Sequence, residues 1–153
     1  MKYLLIGVLF FAGCSVSNTT QKVKNFAKCY VNKIPAPFWV CYQSTFSAIG
    51  KLHTDKVTRL KQEEAYSIGV SELVTKLTLK TKLFLKKLGI KDEDIIKQVK
   101  SFVIINNIQG DTWYSKDEKM LYVEVKIDKN SFKKMLLKLV KNKKAKEVFD
   151  EVF

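Results

Sequence analysis

From Thr54 to Leu88 the chain contains no proline and is dominated by strong helix formers, and this stretch constrains the fold more than any other. Its apolar residues recur at helical spacing, but not on one side. At 100° per residue Val57, Leu60, Ala65 and Ile68 fall on one side, and Val70, Leu73, Leu77, Phe84 and Leu88 on nearly the opposite one. The face changes around Gly69. Either the helix kinks there or it is contacted from two sides. A chain of 153 residues is one ordinary domain's worth of sequence, so a helix buried on two sides predicts contact with a further copy. Thr54 or Asp55 is placed to cap the start, and Gly89 to end it as the residue past the C-cap.

Strands are expected on either side of this helix. Phe38 to Tyr42 is dense in aromatic and β-branched residues, the composition of a strand, and Phe46 to Gly50 continues it. After the helix, Asp92, Glu93 and Asp94 put three acids in the first turn of a short second helix that runs to about Lys100. A strand is predicted from Phe102 to Tyr114, then a turn at 115–118, then a partner strand from Met120 to Ile127. In that partner Leu121, Val123, Val125 and Ile127 share one face, and Tyr122, Glu124 and Lys126 the other, the alternation of an antiparallel sheet with one wet side. Asn130 or Ser131 caps a last helix carrying Phe132, Met135, Leu136, Leu139 and Val140, and Val148, Phe149 and Val152 mark a separate short one. The fold class is therefore α+β: a β-α-β-β core with a long helix on a small antiparallel sheet, and extra C-terminal helices.

The N-terminus is an address. Lys2 is followed by an apolar run from Leu4 to Ala12 and then Gly13-Cys14-Ser15. A basic start, a nine-residue apolar stretch and a small-residue site describe an export signal. Nine residues fall far short of the roughly 20 that cross a bilayer. With the cysteine directly after Phe11-Ala12-Gly13, the segment is similar to a bacterial lipoprotein signal, whose cysteine receives diacylglycerol and becomes the first mature residue. Lipidation of Cys14 and removal of residues 1–13 are expected, and because Ser15 is not Asp the resemblance to lipoprotein sorting signals implies delivery to the outer membrane. Residues 14–33 are polar and aperiodic, a tether able to reach roughly 60 Å. Pro35 and Pro37 close it, and the folded domain is expected over 34–128, with basic helices over 129–153.

Little in the composition points to catalysis. The one histidine, His53, has no nucleophile or orienting acid at a spacing that signals a triad, and is expected to be solvated. Three cysteines and one histidine exclude zinc sites of four cysteines or of two cysteines and two histidines, and six scattered glycines exclude a phosphate loop. No enzyme activity, cofactor or metal is expected. Cys29 and Cys41 either form a disulfide tying the tether to the first strand or remain apart, Cys41 buried and Cys29 free. Trp39, Trp113, Tyr114 and Tyr122 fall on expected strands and serve either packing or a partner-binding aromatic patch. The net charge is +13, with 27 lysines and the single arginine Arg59. So few arginines, in an exported chain, argue against nucleic acid. The lysines of 138–146 form either a solvated basic surface or a contact to anionic headgroups or a negatively charged partner.

The run Pro37-Phe-Trp-Val40, then Phe46-Ser-Ala-Ile-Gly50, then a long helix holding Glu64-Ala65, then Ile108-Gln-Gly-Asp-Thr-Trp-Tyr114 and Leu121-Tyr-Val-Glu-Val-Lys-Ile127 resembles the Lpp-type twenty-kilodalton lipoproteins of Helicobacter and the flagellar FlgP-like outer-membrane lipoproteins. The likeness spans roughly 34–128. It implies a helix lying on a curved antiparallel sheet, attachment to the outer membrane and, in some members, rings or sheaths around the flagellum. Two functions of different kind are therefore expected: an anchored structural subunit that assembles with copies of itself or with envelope or flagellar proteins, or an anchored module that binds an envelope polymer, a small ligand or a host protein.

Overall fold

A 29-residue helix, α2 (Arg59–Lys87), is the spine of the molecule, about 43 Å long at 1.5 Å per residue. Both ends are stopped by local chemistry. The Thr58 side chain accepts a hydrogen bond from the Lys61 amide at 3.2 Å, so the cap lies a few residues beyond Thr54 and Asp55. At the other end Gly89 takes φ +69°, its amide donates to Lys86 and the Ile90 amide donates to Leu85. That pair of bonds is the Schellman arrangement. The computed structural model describes residues 28–153; the expected signal, Cys14 and most of the expected tether lie outside the described residues.

The chain enters through a two-residue hairpin, β1 (Tyr30–Val31) with β2 (Ile34–Pro35). Its turn residues Asn32 and Lys33 both have positive φ, as a type I′ turn requires. The ordered fold thus takes in residues that polarity assigned to the tether. One helical turn follows, α1 (Phe38–Cys41), where a strand was expected. The first strand of the main sheet is β3 (Ser47–His53), and His53 is its exposed last residue. After α2 comes α3 (Glu93–Asn106), capped by the Asp92 carboxylate. It is longer than predicted, because Phe102 to Ile105 continue the helix instead of opening a strand. The strands β4 (Ile108–Ser115) and β5 (Met120–Lys126) form the expected hairpin, and α4 (Lys129–Leu139) and α5 (Ala145–Val152) close the chain. The cap of α4 is Asp128, which accepts from the Ser131 amide at 2.7 Å, rather than Asn130 or Ser131.

The sheet order is β3-β5-β4, all antiparallel, with β5 in the centre. Leu121, Val123 and Val125 have no solvent exposure and lie beneath α2. The buried residues of α2 include Ala65, Gly69, Leu73, Leu77, Thr81 and Leu85, each four residues after the last, with Thr78 and Phe84 beside them. Steps of four advance 40° around a helix with 3.6 residues per turn, so the stripe precesses by about 200° along this run. Of the first face read in the sequence, only Ala65 belongs to this buried stripe. The N-terminal half of the stripe meets the sheet, and the C-terminal half meets α3 and α5 of the same chain. Val57, Leu60 and Ile68, the other predicted stripe, stay exposed. The C-terminal helices share the main core: Phe149 and Phe153 stack at 4.5 Å and pack with Phe84, Phe132 and Phe46.

Candidate functional site

Strand alternation puts Tyr122, Glu124 and Lys126 on the face of β5 away from α2. The register sets Lys51 and Trp113 beside Tyr122, Ile49 beside Glu124, and Ser47 and Ile108 beside Lys126. Alternation predicted that this face would be wet. Instead Ile49, Tyr122 and Glu124 are buried, because α1 and the β1–β2 hairpin lie over them. A disulfide between Cys29 and Cys41 ties hairpin to helix, with Cα atoms 5.7 Å apart. Val40, Trp39 and Ala36 then pack on Ile49 and Tyr122.

Three of the four aromatics singled out by the sequence meet here. Trp113 and Tyr122 have ring centres 5.1 Å apart, and Trp39 is half-buried in the same cluster. The Tyr122 hydroxyl donates to Glu118 at 3.3 Å; burial first, and then the Glu118 charge, hold its pKa above the ordinary tyrosine value. Glu118 also accepts from the Asn32 side chain, which fastens the hairpin to the β4–β5 turn. Tyr114 is elsewhere, on the α2 side of the sheet, with its hydroxyl donating to the Thr54 carbonyl at 2.9 Å.

At the edge of the clasped face a groove of about 290 Å³ runs between α1 and the start of β3, lined by Phe38, Trp39, Tyr42, Ser44, Glu124 and Lys126 among others. Phe38 and Tyr42 stack at 4.5 Å and are about half exposed. Glu124 is the unusual member. Its side chain is 7% exposed, and Oε2 makes an ion pair with Lys126 Nζ at 2.7 Å without an aligned hydrogen bond. A buried carboxylate with one partner costs stability. Room for it comes from Gly110, where a Cβ would lie 2.6 Å from Glu124 Oε2, at the irregularity that shifts the β4–β5 register. An ion pair that is neutral overall, hydroxyls and aromatic faces suit an uncharged polar ligand better than a strongly charged one.

Sequence reasoning missed Glu124 and Gly110. Nothing in an alternating strand marks one acid as buried. Phe38 and Tyr42 were found as apolar residues but given a strand. Their spacing of four, which stacks side chains on a helix, was the available signal. His53 is exposed at the end of β3. Among the described residues no group of three or more His, Cys, Asp or Glu could hold a metal, and no helix is long and apolar enough to cross a membrane. No protein-family model matches this chain, and no curated protein matches it.

Proposed function

We propose that this chain is an outer-membrane lipoprotein, anchored through Cys14, that acts as a self-assembling structural subunit of the cell envelope, in the narrower form around the flagellum. The observation that carries the reading is one surface on which a free sheet edge and an apolar helix stripe lie together. Among the described residues β3 is an edge strand paired with β5 alone, its edge occupied at Ser47, whose carbonyl accepts from Lys76 Nζ at 2.6 Å, and not by a further strand beyond it. Beside it on α2 are Ile68, Glu72 and Lys76, which share a shallow depression with Ile49 and Lys51. Helical spacing carries the stripe on from Ile68 to Leu79, eleven residues later, and Leu83, all exposed. An open strand edge invites pairing with a like edge, and two copies joined at β3 would bury these residues. The Cys29–Cys41 disulfide supports an oxidising compartment outside the cytoplasm, as the lipoprotein-like signal does.

Two measurements test this reading. Radiolabelled palmitate is expected to enter the wild-type chain and not Cys14→Ser; equal labelling would end the anchor proposal. The domain from Lys28 onward is expected to form a dimer or larger assembly by light scattering. Because like charge opposes association, assembly should be more complete at roughly 0.5 M than at roughly 0.05 M salt. The pair Ile68→Asp and Leu79→Asp should leave a monomer. A wild type that is a clean monomer at every salt would favour the second reading, an anchored binding module. The observation behind that second reading is the buried Glu124 in an aromatic-lined groove.

A further inference from the structure

We infer that the helical end of the molecule, opposite in character to the clasped sheet face, docks on an anionic lipid bilayer through the lysines of α4 and of the turn between α4 and α5. Residues 129–146 hold eight lysines and no acidic residue, so more than half of the net charge of +13 comes from this short stretch. The fold turns them outward. Phe132, Leu136 and Val140 occupy the core side of α4, which leaves Lys134, Lys138, Lys141 and Lys143 exposed. Among the described residues, Lys133 alone of the eight forms an ion pair, with Asp150. Of the three acids of α5, Asp150 pairs with Lys133 and Glu151 with Lys87, while Glu147 is exposed in its first turn, so they offset the eight lysines only in part.

The chemistry favours a bilayer over other anionic partners. Lysine is a compact point charge that suits a diffuse field of headgroups, whereas bidentate recognition of phosphate on a folded partner or a nucleic acid favours arginine. The stretch has no tyrosine or tryptophan on which bases could stack. Apolar side chains accompany the charge: Met135 shares a groove with Phe102 and Ile105, and Ile104 and Ile105 of α3 are 57% and 78% exposed. Basic and apolar groups side by side allow shallow insertion at the headgroup level. The inference does not depend on lipidation of Cys14, although an anchor would raise the local concentration of headgroups.

The test compares the full chain on vesicles of phosphatidylcholine with and without about 30% phosphatidylglycerol, where each lysine near an anionic surface contributes about fivefold to partitioning. Whatever the N-terminal segment contributes cancels in the ratio of the two partition coefficients. Changing Lys134, Lys138, Lys141 and Lys143 together to Gln is expected to lower that ratio by about a hundredfold or more, with the melting temperature unchanged because all four are exposed. A control quartet at Lys28, Lys33, Lys56 and Lys116, also exposed, is expected to lower it less than about fivefold. Lysine acetylation followed by mass spectrometry should show Lys134, Lys138, Lys141 and Lys143 slowed on the anionic vesicles alone. Equal losses from the two quartets would overturn the inference in favour of net charge without a docking face. Equal protection by soluble polyphosphate at matched phosphate would overturn the assignment to a bilayer.

Discussion

Gly50→Ala is expected to destabilise the protein by more than about 3 kcal/mol, enough to lower the melting temperature by about 10 °C or more in a domain of this size. Where α2 crosses β3, a Cβ at Gly50 would lie 1.6 Å from the Ala65 carbonyl oxygen and 2.7 Å from the Gly69 amide nitrogen. Both are backbone atoms of the helix, so no rotamer change relieves the clash, and α2 must lift from the sheet. That movement would open the contacts of Ala65 with Leu121 and Val123, all without solvent exposure. Gly89→Ala is the comparison. Nothing lies within 4 Å of a Cβ there, and only the positive φ is unfavourable, so it should cost about 1 kcal/mol. Thermal melting of the two variants separates a steric from a conformational role. A Gly50→Ala protein that melts with the Gly89→Ala protein would show that α2 is not seated on β3 in this way.

Reduction of the Cys29–Cys41 disulfide, or Cys29→Ser, is expected to detach the hairpin and α1 while the α2 side of the sheet survives. A crosslink spanning 12 residues contributes about 3 kcal/mol through the entropy of the unfolded chain. Local unfolding follows the weakest unit, and the hairpin pairs through only two residue pairs. Loss of the clasp would expose Ile49 and Tyr122 and move Trp39 into water. Tryptophan emission should shift to the red, and amide exchange should rise over 29–42 while the amide of Phe84, in the main core, stays protected. Unchanged exchange over 29–42 after reduction would show that packing alone holds the second face closed.

Several elements were legible because one local rule decided each of them. The length of α2 follows from the absence of proline between Thr54 and Leu88 and from a glycine at 89, where only a positive φ completes the end of the helix. The alternation of Leu121, Val123, Val125 and Ile127 set the face of β5 that packs on α2. The α3 boundary was legible but missed: Ile95, Ile96, Val99 and Val103 are buried at helical spacing, a stronger signal than the β propensity of Phe102 to Ile105. Asn107 then ends α3 by donating to the Val103 and Ile104 carbonyls, while the Tyr66 hydroxyl bonds its side chain.

By itself, then, the sequence determined the long helix, the β4–β5 hairpin with its inner face, the two C-terminal helices and the α+β class, all of which rest on periodicities within one segment. Only the tertiary structure decided what covers the other face of the sheet. A period of two says which residues share a face but not whether a remote segment will lie over it. That depended on Cys29 reaching Cys41, on the type I′ turn at Asn32 and Lys33, and on Asn32 reaching Glu118, 86 residues away. Phe38 to Cys41 became a helical turn, against its local propensity, because the disulfide and the packing of Val40 and Trp39 on Ile49 and Tyr122 outweigh the small preference of four residues for a strand. The burial of Glu124 came with that cover. The precession of the α2 stripe was written in the spacing of its residues, but whether α3 and α5 or a second copy would meet its far side depended on how the chain returned.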